Sequence, residues 1–282
     1  MYNAGLVLEG GGMRGLYTAG VLEYFLEKDI MFSSCYGVSA GACHSVSYLS
    51  KQKGRAYRIS VNYLNDKNYC SVNSLLKTGD IFNVDMCYHR IPDELDFYDY
   101  EAFKQYEGKA YAVATNLETG KAEYLPLKDL KLDIEAVRAS ASLPLLSRPV
   151  EINGKLYLDG GCSDSIPIIR SLKDGNKKNV VVMTKQVGYR REPSSHINAI
   201  KIYYHKYPAF VKSMIRRHIT YNRTLDFIEE HEKKGHIFLF RPQYDSGVAR
   251  IEKDGKKLRA LYEMGYEDAK ERYDALMEYL EL

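Results

Sequence analysis

Two short strand-like segments in the first fifty residues each end in a glycine-containing turn and continue into a helix. Residues 6–8 (LVL) run into three glycines and then into apolar residues at helical spacing over residues 16–28. Residues 34–36 run into Gly37, and a second helical pattern begins near Ala40. Strands that alternate with helices in this way predict an α/β fold, with three layers (α/β/α) and a central, mostly parallel sheet.

Further strand patterns follow in the first two thirds of the chain. Residues 109–125 predict a hairpin, because Asn and Gly lie between two strand-like arms. Residues 156–158 form a short apolar segment before Asp159-Gly160-Gly161. The β-branched residues at 179–183 (NVVVM) predict a strand buried on both faces.

The character of the sequence changes near residue 190. We expect residues 1–190 to form the α/β core. Residues 191–282 are expected to form a mainly helical segment packed on that core as one domain. One strand-like run stands at 237–240, and the tail from 256 to 282 predicts one or two final amphipathic helices, with an interruption near Gly265.

The composition argues against several classes of protein. The 282 residues carry 40 Lys plus Arg against 37 Asp plus Glu, a net charge of +3 that does not suggest a nucleic-acid binder. No run of about 18 apolar residues predicts a membrane-spanning helix, and the N-terminus has no signal-peptide pattern. Five scattered cysteines predict neither a zinc site nor a disulfide framework, so we expect a cytoplasmic protein without a metal.

The motif GGGMRG at 10–15 predicts an anion-binding loop. Glycines let a ligand approach the backbone amides, and the following helix supplies free N–H groups at its N-terminus. The anion is either a phosphate or the oxyanion of a tetrahedral intermediate. The G-x-G-x-x-G spacing also matches a dinucleotide fingerprint, but Asp29, the nearest acid, precedes the second strand instead of ending it.

The pentapeptide GVSAG at 37–41 has the spacing of a nucleophile elbow. In such a turn the serine, here Ser39, presents its hydroxyl outward, and the flanking glycines remove side chains that would clash. Asp159 follows a strand and precedes two glycines, a position suited to a catalytic carboxylate. A tight glycine turn without a catalytic role explains each motif taken singly. Their occurrence at the C-terminal ends of strands that are expected to be parallel, including the strand before Asp159, predicts that they meet at one edge of the sheet.

The three motifs together resemble the patatin-like phospholipases, a family of acyl hydrolases. GGGMRG, GVSAG and DGG occur in that order, and residues 114–124 and 136–161 are also similar to the family. The resemblance covers roughly residues 4–185. It implies a three-layer α/β fold and a Ser–Asp dyad without a catalytic histidine. Ser165 stands where plant members commonly have an asparagine.

The resemblance implies a role for each motif residue. Ser39 is the expected nucleophile and Asp159 its base. Three backbone amides are the expected oxyanion hole: Gly11, Gly12 and Met13. The rest of the loop is expected to contact substrate: Gly10, Arg14 and Gly15. Four glycines are expected to shape the elbow and the aspartate turn: Gly37, Gly41, Gly160 and Gly161.

These assignments predict a cofactor-independent serine hydrolase that cleaves carboxylic esters of lipids through an acyl-enzyme. Two alternatives stay open: a nucleotide- or phosphate-binding protein that uses the glycine loop, and a lipid-binding module without catalysis. A Ser-His-Asp triad is a weaker alternative: five histidines follow Asp159, but none stands in a glycine-flanked turn at the end of a strand. Residue 39 leaves room for only one earlier strand, which disfavours the α/β-hydrolase fold.

The stretch 193–225 contains no acidic residue, and its basic residues alternate with aromatic and aliphatic ones. This pattern allows peripheral contact with the inner face of an anionic membrane. Tyr203, Tyr204, Tyr207, Phe210 and Ile215 are then the residues expected to enter the interface. A helical face packed on the sheet explains the same pattern, and we favour that interpretation.

Overall fold

A mixed sheet of eight strands forms the middle layer of the structure, a computed structural model that describes residues 1–281. The strands are β1 (Tyr2–Leu8), β2 (Phe32–Val38), β3 (Lys109–Asn116), β4 (Ala122–Leu127), β5 (Val150–Ile152), β6 (Lys155–Asp159), β7 (Asn179–Val182) and β8 (Ile237–Phe240). Their order is β5-β6-β3-β2-β1-β7-β8, and β4 pairs with β3. Five neighbouring strands are parallel to one another, in the order β3-β2-β1-β7-β8. Strands β4 and β6 are antiparallel to β3.

Helices cover both faces of this sheet. They are α1 (Leu16–Glu27), α2 (Ala40–Leu49), α3 (Arg55–Val61), α4 (Val72–Thr78), α5 (Tyr100–Lys104), α6 (Leu130–Ala141), α7 (Ile168–Lys173), α8 (Ile197–Tyr203), α9 (Pro208–Lys233), α10 (Gly255–Glu271) and α11 (Tyr273–Glu281). Short 3-10 turns lie at Gly12–Gly15 and Gly160–Cys162, and a π-helical segment at Met86–Leu95. No helix within residues 1–281 is long and apolar enough to span a membrane.

The central strands send alternate side chains into two hydrophobic cores. In β1, Leu6 and Leu8 join residues of α1, α2, α6 and α10, whereas Val7 joins residues of α7 and α9. All four residues of β7 are buried, because the strand has a parallel neighbour on each side and helices on each face. The predicted three-layer architecture with a mostly parallel sheet is confirmed.

The strand that ends at Asp159 runs in the direction opposite to the one predicted. β6 is antiparallel to β3, with Ala114 opposite Asp159. β3 extends beyond the end of β2, where Val113 lies opposite Val38, and only its last three residues pair with β6. β6 therefore starts beyond the edge of the sheet and runs back to it. Asp159 reaches the edge formed by the ends of β1 and β2 from the other side.

The segment after residue 190 contributes to the sheet as well as to the helical layers. The strand-like run at 237–240 is β8, which pairs in parallel with β7. The long helix α9 contributes Tyr221, Leu225 and Ile228 to the core on one face. On the other face, α10 packs over α1 and leaves α1 buried almost all round.

The predicted interruption near Gly265 is wrong. α10 continues through this glycine, and the break between α10 and α11 falls at Arg272. Gly265 lies against the backbone of Tyr17 in α1, and Gly20 of α1 lies against the backbone carbonyl of Tyr262 in α10. A methyl group at either glycine would overlap with the facing helix. The two glycines therefore allow α1 and α10 to approach closely.

This contact predicts that alanine destabilises the protein at both positions. Alanine is normally about 1 kcal/mol more favourable than glycine inside a helix. Here we expect Gly20→Ala and Gly265→Ala to lower the free energy of unfolding by about 1–3 kcal/mol through overpacking. Urea unfolding followed by circular dichroism measures the change. Gly255→Ala, where the space is open apart from Leu64 at 3.7 Å, is the control and is expected not to destabilise. Unchanged or increased stability in both test variants would contradict the close packing.

Candidate active site

Ser39 occupies a strained turn between β2 and α2. Its backbone angles are φ 54° and ψ −121°, a region that costs a residue with a side chain about 1–3 kcal/mol. A Cβ atom on Gly37 would lie 2.7 Å from the amide nitrogen of Ala42, and one on Gly41 would lie 2.6 Å from the carbonyl oxygen of Leu8. Both glycines are therefore needed for the turn to form. This is the strand-turn-helix context of a nucleophile elbow.

The elbow is also held from the side of α6. The N–H of Ser39 donates a hydrogen bond to Oγ of Ser140 at 2.9 Å, and its carbonyl accepts one from the N–H of Cys43 at 3.1 Å. Ser39 itself is 7% exposed. The turn is thus anchored at both ends while the serine side chain lies at the wall of a cavity.

The glycine loop after β1 lies directly against this turn. A Cβ atom on Gly10 would come within 2.8 Å of Cβ of Ser39, and one on Gly15 would come within 2.8 Å of Cβ of Ala40. Gly12 has a positive φ of 58°. Since β1 and β2 are parallel neighbours with Leu8 opposite Gly37, the loop and the elbow leave the sheet at the same level.

The N–H groups of the loop differ in their availability. No residue within 1–281 accepts a hydrogen bond from the N–H of Gly11 or Gly12, whereas the N–H of Met13 donates to the carbonyl of Arg250 at 3.0 Å. An oxyanion needs donors that are free to point at it. The Met13 amide, predicted as part of the oxyanion hole, is engaged elsewhere in this conformation. The amides of Gly11 and Gly12 are free.

Asp159 is fixed at the end of β6 by its own backbone and by its turn. Its N–H donates to the carbonyl of Ser142 at 2.8 Å, and its Oδ1 accepts from the N–H of Gly161 at 2.7 Å. Gly160 lies against the carbonyl of Val113, where a side chain would overlap. Ser165 donates to the carbonyl of Gly161 at 2.9 Å, so its hydroxyl supports the same turn.

Ser39 and Asp159 line one small cavity of about 40 Å³, together with the glycine loop. None of the hydrogen bonds among residues 1–281 joins the Ser39 hydroxyl to the Asp159 carboxylate. The structure thus brings the two predicted catalytic residues and the predicted anion-binding loop to one place without a direct bond between the pair.

A second, larger cavity of about 160 Å³ meets the first at Ser39. The two cavities share Gly12, Ser39 and Leu143. The walls of the second cavity are mostly apolar and come from α2, α6 and the π-helical segment, with residues such as Val46, Ile91, Ile134 and Val137. An apolar cavity of about 150 Å³ is known to bind a benzene-sized ligand, so this one has room for an apolar group of that size.

The histidines do not join this arrangement. None of the seven lines the cavity that holds Ser39 and Asp159. His44 lines the apolar cavity, and burial lowers the pKa of its imidazole to about 4. A neutral, buried imidazole that lines the apolar cavity, and not the cavity with Asp159, does not form a Ser-His-Asp chain.

Four cationic residues of the small cavity lie outside the predicted motifs: Lys185, Arg191, Arg217 and Arg250. Only one of these four residues lies in a stretch that the sequence pointed to: Arg217 belongs to the acid-free stretch 193–225. Arg14, predicted to contact substrate, lines the same cavity. The buried residues Glu9 and Thr184 complete one wall, where the N–H of Thr184 donates to Oε2 of Glu9 at 2.7 Å.

Individual relatives resemble the chain over different lengths. The uncharacterized protein YjjU of Escherichia coli (strain K12) is 30% identical over 184 residues, 64% of this chain and 51% of that protein. A probable lipid hydrolase (463L) of Invertebrate iridescent virus 6 is 27% identical over 195 residues, 63% of this chain and 66% of that protein. Lysophospholipase NTE1 of Meyerozyma guilliermondii is 24% identical over 290 residues, 95% of this chain and 19% of that protein. The chain therefore spans less than two thirds of the length of each.

Family comparison divides the chain into two matched parts. A domain of unknown function (DUF6363) matches residues 207–281. The patatin-like phospholipase family matches residues 6–170, more than half of the chain, and this range contains the glycine loop, the elbow and the aspartate turn. The chain belongs to the patatin-like phospholipase family.

Proposed function

We propose that the protein is a serine hydrolase that cleaves carboxylic esters of lipids through an acyl-enzyme on Ser39, with Asp159 as the base. One observation carries the proposal: Ser39, in a strained turn, lies between a polar cavity that also contains Asp159 and an apolar cavity. Family membership supports it. The names of two relatives, a probable lipid hydrolase and a lysophospholipase, describe the same class of chemistry.

In the first half of the reaction, the Ser39 hydroxyl attacks the ester carbonyl carbon while Asp159 takes its proton. This step requires the two side chains to come within hydrogen-bond distance when substrate binds. The tetrahedral intermediate places a negative charge on the former carbonyl oxygen. The free amides of Gly11 and Gly12 are the donors that would stabilise this charge. The intermediate collapses to acyl-Ser39, and the leaving alkoxide takes the proton from Asp159.

In the second half, Asp159 takes a proton from a water molecule, which attacks the acyl-Ser39 ester. The second tetrahedral intermediate uses the same amide donors. Its collapse breaks the bond between Oγ of Ser39 and the acyl carbon, and the proton returns to Ser39. The fatty acid leaves, and the dyad is restored.

The apolar cavity gives the acyl chain a place beside the nucleophile. Its walls bury carbon surface, which favours a hydrocarbon chain at about 25 cal/mol per Å². The polar cavity on the other side of Ser39 is left for the alcohol part of the ester. A lipid with an apolar tail and a polar head group fits this division better than a soluble polar ester.

Ser39→Ala is expected to reduce hydrolysis of a p-nitrophenyl ester and of a lysophospholipid by about 10⁴-fold or more, because the acyl-enzyme can no longer form. A fluorophosphonate probe is expected to label the wild type at Ser39 and to leave the variant unlabelled, as read by peptide mass spectrometry. Ser45→Ala is the matched control, since Ser45 is buried in the same helix but lines neither cavity.

Three outcomes would contradict the proposal. Full activity in the Ser39→Ala variant would exclude Ser39 as the nucleophile. Tight nucleotide binding by the wild type without any fluorophosphonate adduct would favour a nucleotide-binding protein. Lipid binding without hydrolysis would favour a non-catalytic lipid-binding module.

Asp159→Asn tests the base separately from the nucleophile. An amide cannot accept the proton of Ser39, so we expect kcat to fall by about 10²–10⁴-fold. Asn keeps the size of the side chain and an oxygen for the N–H of Gly161, so the fold should persist by circular dichroism. Asp274→Asn, at an exposed position in α11, is the control and should keep full activity. Equal turnover by Asp159→Asn and the wild type would exclude Asp159 as the base.

We also propose peripheral contact with the inner face of an anionic membrane through part of residues 193–225, and a cytoplasmic location in keeping with five free thiols. Tyr204 and Phe210, expected to enter a membrane interface, are buried in the protein instead. Ile202 is 76% exposed and Tyr203 is 64% exposed. Exposed cations stand nearby in the chain: Lys201, Lys206, Lys212 and Arg216.

Vesicle flotation tests this contact. We expect the wild type to float with vesicles of equal parts phosphatidylglycerol and phosphatidylcholine. The double variant Ile202→Ser, Tyr203→Ser is expected to bind them at least about tenfold more weakly, because burying one such side chain is worth about 1.5–3 kcal/mol. Leu76→Ser removes an equally exposed apolar side chain in α4 and serves as the control. Wild-type protein that stays with the unbound fraction would contradict the proposed contact.

A further inference from the structure

The small cavity beside Ser39 carries a surplus of positive charge. Its lining includes five cationic side chains: Arg14, Lys185, Arg191, Arg217 and Arg250. Two carboxylates, Glu9 and Asp159, face them. Such a surplus at a reaction centre attracts an anion.

The carboxylates of residues 1–281 balance these five cations only in part. None of the five lies within 4.0 Å of a carboxylate oxygen of residues 1–281, whereas arginines such as Arg55 and Arg170 form close ion pairs elsewhere. Within the same range, the Nε atoms of Arg14 and Arg191 are buried without a hydrogen-bond acceptor. Buried donors of this kind are costly unless a partner satisfies them. A bound anion would supply that partner.

The cationic groups are held in place by neighbours that are not acids. Nε of Arg217 donates to the carbonyl of Gly161, next to Asp159. The guanidinium of Arg191 lies 4.2 Å from the ring centre of Tyr221, and its backbone exchanges two hydrogen bonds with the side chain of Asn222. These contacts orient the charges before a ligand arrives, which favours tight binding.

The cations also repel one another. Burial first, and then the neighbouring Arg250, lowers the pKa of Arg14. Burial and Arg191 lower the pKa of Arg217 in the same way, and burial and Arg14 lower the pKa of Lys185. An anion placed among them would relieve this repulsion.

The size of the cavity limits the anion. One water molecule needs about 10–15 Å³ of such space, so about 40 Å³ holds a group of a few heavy atoms. A phosphate monoester has this size, carries up to two negative charges and accepts paired hydrogen bonds from guanidinium groups. A phosphocholine head group is larger and zwitterionic, and the same side chains would repel its quaternary ammonium group.

We propose that this cavity binds the phosphate monoester head group of a monoacyl lipid, so that the protein selects lysophosphatidic-acid-type substrates over zwitterionic and neutral ones. This proposal rests on the proposed function, because the phosphate belongs to the alcohol that leaves when the same ester is cleaved. Three of these side chains come from the segment after residue 190: Arg191, Arg217 and Arg250. This segment contains none of the three motifs, and the proposal gives it a role in substrate selection.

Calorimetry on the Ser39→Ala variant tests the site without turnover. We expect this variant to bind lysophosphatidic acid more tightly than glycerol 3-phosphate, because the acyl chain also enters the apolar cavity. Adding Arg191→Gln or Arg217→Gln is expected to weaken lysophosphatidic acid binding about tenfold or more, since each removes a hydrogen bond to a charged group. Arg217→Lys, which keeps the charge, should lose less.

Arg223→Gln is the matched control, because Arg223 is exposed on the same helix and does not line the cavity. We expect it to leave binding unchanged, and circular dichroism verifies that each variant is folded. Glycerol 3-phosphate bound as tightly as the lysolipid would assign the cavity to a soluble phosphate ester and overturn the proposal. Undiminished lysolipid binding in folded Arg191→Gln or Arg217→Gln protein would overturn it as well.

Hydrolysis by the wild type separates this proposal from the proposed function. We expect kcat/KM for lysophosphatidic acid to exceed that for lysophosphatidylcholine and for monoacylglycerol by about tenfold or more, and Arg191→Gln to reduce this ratio. Hydrolysis of all three lipids at equal rates would overturn the head-group site and leave the serine hydrolase intact. Arginine-dependent lysolipid binding without any hydrolysis would refute the hydrolase and support the anion site.

Discussion

The backbone of Ser39, held at positive φ, is the constraint on which the site depends. A residue with a side chain adopts this conformation only where the surroundings enforce it. The parallel register of β1 and β2 does so, because it brings the glycine loop and the elbow off the sheet at the same level. Gly10, Gly37 and Gly41 then let three backbone segments meet where side chains would collide. Strand pairing, more than loop conformation, positions Ser39, the proposed nucleophile.

The same turn separates two environments. On one side, apolar walls from α2, α6 and the π-helical segment suit hydrocarbon. On the other, cationic side chains from distant parts of the chain surround the polar cavity. The loop before α10 links the two halves of the chain through two hydrogen bonds. The N–H of Met13 donates to the carbonyl of Arg250, and Nη1 of Arg14 donates to the carbonyl of Val248. The C-terminal segment thereby covers the glycine loop and adds charge beside it.

Part of the fold and of the candidate site was predictable because local sequence encodes local backbone. The glycine spacing around Ser39 predicted a turn between strand and helix, and the β-branched residues of β7 predicted a fully buried strand. Other predictions failed where a local pattern has two meanings. Strand periodicity does not show in which direction a strand runs. The parallel orientation predicted for β6 is wrong, although Asp159 still reaches the expected edge of the sheet. A helical glycine signals either a break or a close contact, and only the packing of α10 on α1 identifies Gly265 as a contact.

The sequence by itself determined the three-layer α/β architecture, the elbow at Ser39, the glycine loop and the turn at Asp159, because each of these depends on neighbours along the chain. The tertiary structure alone decided that the Met13 amide bonds to Arg250, that Tyr204 and Phe210 are buried, and that five cations line one cavity. These features join residues far apart in sequence, such as Arg14 and Arg250. Whether a charged side chain is solvated, paired or left to face a cavity depends on what surrounds it after folding, and no local pattern contains that information.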